Sequence, residues 1–168
     1  MEVRAYRHED LAAMPPRECE RGAAKLEREL KYIEAVRLRN PSFTLWGGRY
    51  NTVPIGAAGV IIFQPGIGEA WLRGSIRMEA DKLVRYRCAI TIRKRLRQVI
   101  EEHKLRVVQM MVETTDEPTP AAFPPWLETR PTMTTQLRFA LWLGFQMEGL
   151  MRRRGPNGEN YYMLAMVR

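Results

Sequence analysis

The period of apolar and polar positions changes repeatedly along the 168 residues, and each change predicts an element. Glu2 to Arg7 alternates every second residue, with Val3 and Ala5 on one face, which predicts a short strand. Asp10 is expected to cap a helical turn through Leu11 and Met14. Pro15-Pro16 resets the chain, and Pro16 suits the first position of a long helix to about Arg39. Cys19, Ala23, Leu26, Leu30 and Ile33 recur at helical spacing and make its core stripe. Arg21, Lys25, Arg28 and Glu29 take the other face, and Asn40-Pro41 ends the element.

Three strands follow. Ser42 to Tyr50 holds Phe43, Leu45 and Trp46, and Val53 to Phe63 is a nearly continuous apolar run. Ile67 to Ser75 alternates around Trp71, after a Gln64-Pro65-Gly66 turn. Gly56 and Gly59 inside a strand imply a bulge or close backbone packing. A second long helix is expected from about Glu79 to His103, with Cys88, Ile92, Leu96, Val99 and Ile100 facing the core. Leu105 to Thr115 reads as a buried strand. The segment 116–135 carries five prolines together with Phe123 and Trp126. A loop that long inside one domain is uncommon, and reads either as surface padding or as an arm that docks on another molecule.

From Leu137 the chain reads as a short amphipathic helix closed by Gly144, then a strand, a Gly-Pro-Asn-Gly turn and a last strand. Asn157-Gly158 between alternating runs is a strong hairpin signal. The phrases Leu143-Gly144-Phe145 and Glu148-Gly149, with this hairpin and the element order before them, resemble the GCN5-related N-acetyltransferase (GNAT) superfamily. The resemblance implies an α/β (α+β) three-layer sandwich, with a mixed, mostly antiparallel sheet between helices, over one domain, 1–168. Pro54-Ile55-Gly56 and Gly68-Glu69-Ala70-Trp71 look most like GNAT-like proteins of tailed bacteriophages, some of which are internal virion proteins.

Acetyl transfer in that family makes three demands. A glycine-containing loop at the start of the long helix holds the pyrophosphate of acetyl-CoA on backbone N–H groups. The matching stretch here, Arg73 to Asp81, has Ile76 and Ala80 at the spacing of the loop, and no glycine after Gly74. Glu79 and Asp81 would repel phosphate and suit the helix N-terminus instead. Arg73 and Arg77 are the cations left for cofactor binding. A general base on the middle strand can only be Glu69, whose alternative is a salt-bridged or strand-end glutamate beside the Pro65-Gly66 turn. The family's Tyr acid, four residues before the Gly of the Gly-Phe pair, is replaced by Ala140 with Phe139 beside it, and neither carries a transferable proton.

Charge widens the set of partners. The formal net charge is +8 and the pI about 9.9, which favours nucleic acid, phosphate-rich ligands or acidic proteins. Two cysteines and two histidines at no ligand spacing argue against a metal site and for a reducing compartment. The polar opening and the lack of a long apolar run imply no leader and no membrane span. Arg93 to Arg97 reads as a solvated helix face, whereas Arg152, Arg153 and Arg154 mark a contact surface. Trp142, at a usually polar helix position, joins Phe123 and Trp126 as candidate interface residues. The residues, taken with that resemblance, imply a non-catalytic GNAT-fold component of a virion, packing with itself or other virion proteins, with no cofactor expected, and located in the particle or an infected host's cytoplasm. The alternatives are a divergent acetyl-CoA-dependent N-acetyltransferase using Glu69, and a basic module that contacts nucleic acid without sequence preference.

Overall fold

In the computed structural model, which describes residues 1–14, 31–47, 52–76, 78, 81–114, 132–155 and 158–168, the alternating segments pair as antiparallel strands. The chain divides into two compact units, Met1–Leu105 and Arg106–Arg168. In the first, β1 (Glu2–Ala5), β2 (Ser42–Gly47), β3 (Val53–Gln64) and β4 (Ile67–Gly74) pair in chain order. Positions 54–60 of β3 are all buried, which explains a run too apolar to alternate. Leu45 pairs with Gly56 and Trp46 with Pro54, so Ile55 is the extra residue of a bulge. Gly59 answers a packing demand: a Cβ there would lie 2.5 Å from Ser42 Oγ and 2.6 Å from the Pro41 carbonyl oxygen.

Among the described residues α1 (His8–Ala12), α2 (Lys31–Leu38) and α3 (Lys82–Glu102) accompany these strands. Asp10 does not cap α1 from outside, as the sequence suggested; Arg7 holds that position. Asp10 sits inside the first turn, where its carboxylate accepts from the Arg7 backbone N–H (3.2 Å) and the buried Thr44 hydroxyl (2.7 Å). That fixes α1 against β2. Asn40 ends α2 as expected, its amide donating to the Val36 carbonyl (2.7 Å) while its Oδ1 accepts from the Ile62 N–H (2.8 Å). The stripe Cys88, Ile92, Leu96, Val99 and Ile100 is buried on α3. Burial pushes the Cys88 thiol up to about 12, so it is a core side chain rather than a nucleophile. Cys19 and the earlier part of the expected long helix, 16–30, lie outside the described residues.

The second unit holds β5 (Val107–Thr114), α4 (Thr135–Leu143), β6 (Gln146–Met151) and β7 (Asn160–Val167). β7 pairs antiparallel with both β5 and β6. Thr134 caps α4 by accepting from the Leu137 N–H (3.1 Å). Gly144 closes it at φ 109, with Phe145 N–H bonded to the Ala140 carbonyl and Gly144 N–H to that of Leu141. This double return needs a left-handed residue, which is why glycine stands before Phe145. The hairpin is wider than a two-residue turn. β6 stops at Met151, and Arg152 and Arg153 turn, Arg153 at φ 49 with its N–H bonded to Asn160 Oδ1 (3.0 Å). The tight reversal sits further on, where Gly158 N–H meets the Gly155 carbonyl (3.0 Å). Arg152–Arg154 thus leave the strand, and their side chains do not alternate across a sheet. Asn157 and the proline-rich segment up to 131 lie outside the described residues.

Candidate active site

β4 carries the candidate base, and strand geometry decides what surrounds it. Glu69, Trp71 and Arg73 share one face of β4, opposite Ile61, Gly59 and Ala57 of β3. Trp71 belongs to that face's cluster with Tyr6, Leu11, Met14 and Ala57. The Tyr6 and Trp71 rings meet edge to face, 5.4 Å apart, and the buried Arg37 guanidinium lies 4.2 Å from the Trp71 ring centre. The other face of β4 meets the end of α3, where Leu105 approaches Gly68. Glu69 is half-buried, and among the described residues it makes no hydrogen bond or ion pair. Burial alone raises its carboxyl above the ordinary carboxylate value. Among the described residues no ion pair holds Glu69, which leaves a partly desolvated strand glutamate on the same face of β4 as Trp71.

The start of α3 is where a phosphate would be sought. Asp81 occupies the cap, its Oδ1 accepting from the N–H groups of Leu83 (2.8 Å) and Val84 (3.3 Å). The expectation that Asp81 serves the helix therefore holds. Two of the amides that would meet an anion are taken by the chain's own carboxylate, whose charge also repels phosphate. Ile76 stands exposed ahead of the helix, and Arg73 is partly buried on β4. Arg77, Glu79 and Ala80 lie outside the described residues. As a backbone cradle for the pyrophosphate of coenzyme A, this helix start does not fit.

No family model matches the sequence, and no curated protein matches it. Solved structures do. An acetyltransferase of the GNAT family from Bacillus anthracis is similar over 98% of this chain and 93% of its own, with TM-score 0.61 and 13% identity. A ribosomal-protein-alanine N-acetyltransferase from Brucella melitensis matches over 100% of both chains, at TM-score 0.59 and 15% identity. An aminoglycoside 6'-N-acetyltransferase complexed with coenzyme A gives TM-score 0.66 at 11% identity, over 99% of this chain and 97% of that one. The fold is that of the GNAT acetyltransferases.

Within the GNAT fold the remaining expected groups can be placed. Ala140, where the resemblance would put an acid, is fully buried in α4, its methyl group packed in the core. Trp142 is 40% exposed, and its ring stacks on Phe139 with centres 6.1 Å apart. Arg152, Arg153 and Arg154 are exposed in the hairpin loop. Phe123 and Trp126 lie outside the described residues. Among the described residues no group of three or more His, Cys, Asp or Glu could hold a metal ion, and no helix is long and apolar enough to cross a membrane. Sequence reasoning named Glu69 but missed its wall. Tyr6 lies between β1 and α1, Arg37 on α2 and Trp71 on β4, and only the alternation at Trp71 hinted that it faced inward.

Proposed function

We propose that this protein is an N-acyltransferase in which Glu69 takes the proton of an amine acceptor. The observation that carries this is the half-buried Glu69 carboxylate on β4, which makes no hydrogen bond or ion pair among the described residues, set in a fold shared with acetyltransferases. An ordinary carboxylate is a weak base toward an ammonium group, and desolvation narrows that gap. Tyr6 and Trp71, on the same face, give the acceptor an apolar wall. An acyl thioester of coenzyme A would supply the activated acyl group when bound: the amine would form a bond to the carbonyl carbon as the carbon–sulfur bond breaks and the coenzyme A thiol leaves. Arg73 is the described cation that would hold its phosphates by side-chain charge, since the amides of Leu83 and Val84 are committed to Asp81.

Two measurements test this reading. Acetyl-CoA at about a hundredfold excess over Kd should add about 2.7 kcal/mol to native stability and raise the melting point. Glu69→Gln should keep that shift while lowering thiol release with primary amines by roughly a hundredfold. No shift at millimolar acetyl-CoA overturns the proposal, and an unchanged rate in the variant removes Glu69 as base.

A second reading is favoured by the Asp81 cap, the buried Ala140 and the exposed Trp142: a non-catalytic component that packs with itself or with other proteins, as in a virion. Trp142→Ala should then lower self-association, or binding to the partner that co-purifies with the protein, by about tenfold without moving the melting point. A wild-type chain that sediments as a monomer at high concentration, with nothing co-purifying, would count against it.

A further inference from the structure

The solvent ridge of α3 is apolar where a surface helix is ordinarily polar. Leu83 is 56% exposed, Tyr86 61% and Ile90 43%, and at 3.6 residues per turn they lie opposite the buried Cys88, Ile92, Leu96 and Val99. Single exposed apolar residues need no explanation, but three in line over two turns do. Met1, also exposed, lies to the side of this ridge, where its Sδ receives the Thr91 hydroxyl at 3.7 Å. The spacing i, i+3, i+7 is the first, fourth and first position of a heptad, the seam by which one helix receives another. Lys82, Arg87 and Lys94 flank that seam, and Arg97 continues its line. All four are exposed, and no acidic residue occurs on α3 before Glu101.

We infer that this ridge docks an acidic amphipathic helix of another protein. The heptad spacing fixes the shape of the occupant, and the flanking cations fix its charge. A second copy of the chain would set Lys82, Arg87 and Lys94 against their own equivalents, which repel in such a seam. A nucleic acid would satisfy the cations but leave Leu83 and Ile90 facing phosphates. The seam is short, so the complex is weak and reversible, with Kd on the order of micromolar.

The probe is a fluorescein-labelled synthetic peptide of three heptads, with Leu at the two seam positions and Glu at the flanking ones. It is titrated into the full chain and read by anisotropy. Tyr86→Ala and Ile90→Ala are each expected to weaken binding about tenfold. Lys94→Glu should weaken it too, and a peptide with Lys in place of Glu should not bind. Circular dichroism melts unchanged from the wild type show that these surface variants stay folded. Absence of binding at millimolar peptide overturns the inference, as does equal binding to a Leu83→Ser/Ile90→Ser variant. It is overturned equally if phosphatidylglycerol vesicles, duplex DNA or a second copy engages the ridge through Leu83 and Ile90 while the acidic peptide does not.

Discussion

Glu69 pits two roles of one carboxylate against each other. Its pKa is raised in the fold because burial disfavours the charged form. A carboxyl whose folded value lies above its unfolded value contributes stability that is complete below the unfolded value, about 4.3, and is lost as pH rises through the folded one. Glu69→Gln should therefore melt higher than the wild type at pH 7, by on the order of 2 °C, and the two should converge near pH 3.5. A variant that melts lower at pH 7 would show that the carboxylate is held by favourable contacts rather than exposed to a desolvation cost. The place of Glu69 on a strand after a turn was legible because strand and turn are local features. Its surroundings were not. Arg37 over Trp71, and Asp10 beneath Thr44, join residues far apart in the chain, and no local pattern specifies such pairs.

At the scale of elements, α3 shows what periodicity reveals and what it hides. The buried stripe was readable from spacing alone, because five apolar residues fall on one face. The apolar ridge on the other face obeys the same arithmetic, yet the arginines around it drew the reading toward a solvated surface. Asp81 sets a sharper test. Asp81→Asn keeps an amide oxygen to accept from Leu83 and Val84 but removes the charge, so helix stability should change by only a few tenths of a kcal/mol. Coenzyme A affinity, measured by calorimetry, should rise about tenfold if the Asp81 charge is what opposes phosphate there. Unchanged affinity would mean that the phosphates are held elsewhere. The hairpin departs from expectation for a different reason. Three adjacent arginines resist pairing in a strand, and Arg153 accepts a left-handed backbone to bond Asn160, which ends β6 early.

For the whole molecule, the order of elements together with Leu143-Gly144-Phe145, Glu148-Gly149 and the terminal hairpin was enough to name the fold, since each of these is a local feature. Function is less legible because a fold hosts many chemistries, and only particular side chains decide between them. The net charge of +8 belongs to this scale. Binding to duplex DNA, if about four phosphates are neutralised, should fall roughly a hundredfold between 50 and 200 mM salt. Affinity that is flat across that range would exclude a phosphate-driven contact. The described first strand has one more effect. β1 is four residues long, pairs with β2, and presents Glu2 and Arg4 joined by two bonds of 2.8 Å, with Arg4 also 4.1 Å from the Trp46 ring centre. A neighbouring chain that sought to template onto this margin would find little backbone to copy and a charge pair to strip of water. For a basic protein with an exposed apolar ridge on α3, crowding should therefore favour side-chain docking over strand exchange at the β1 margin.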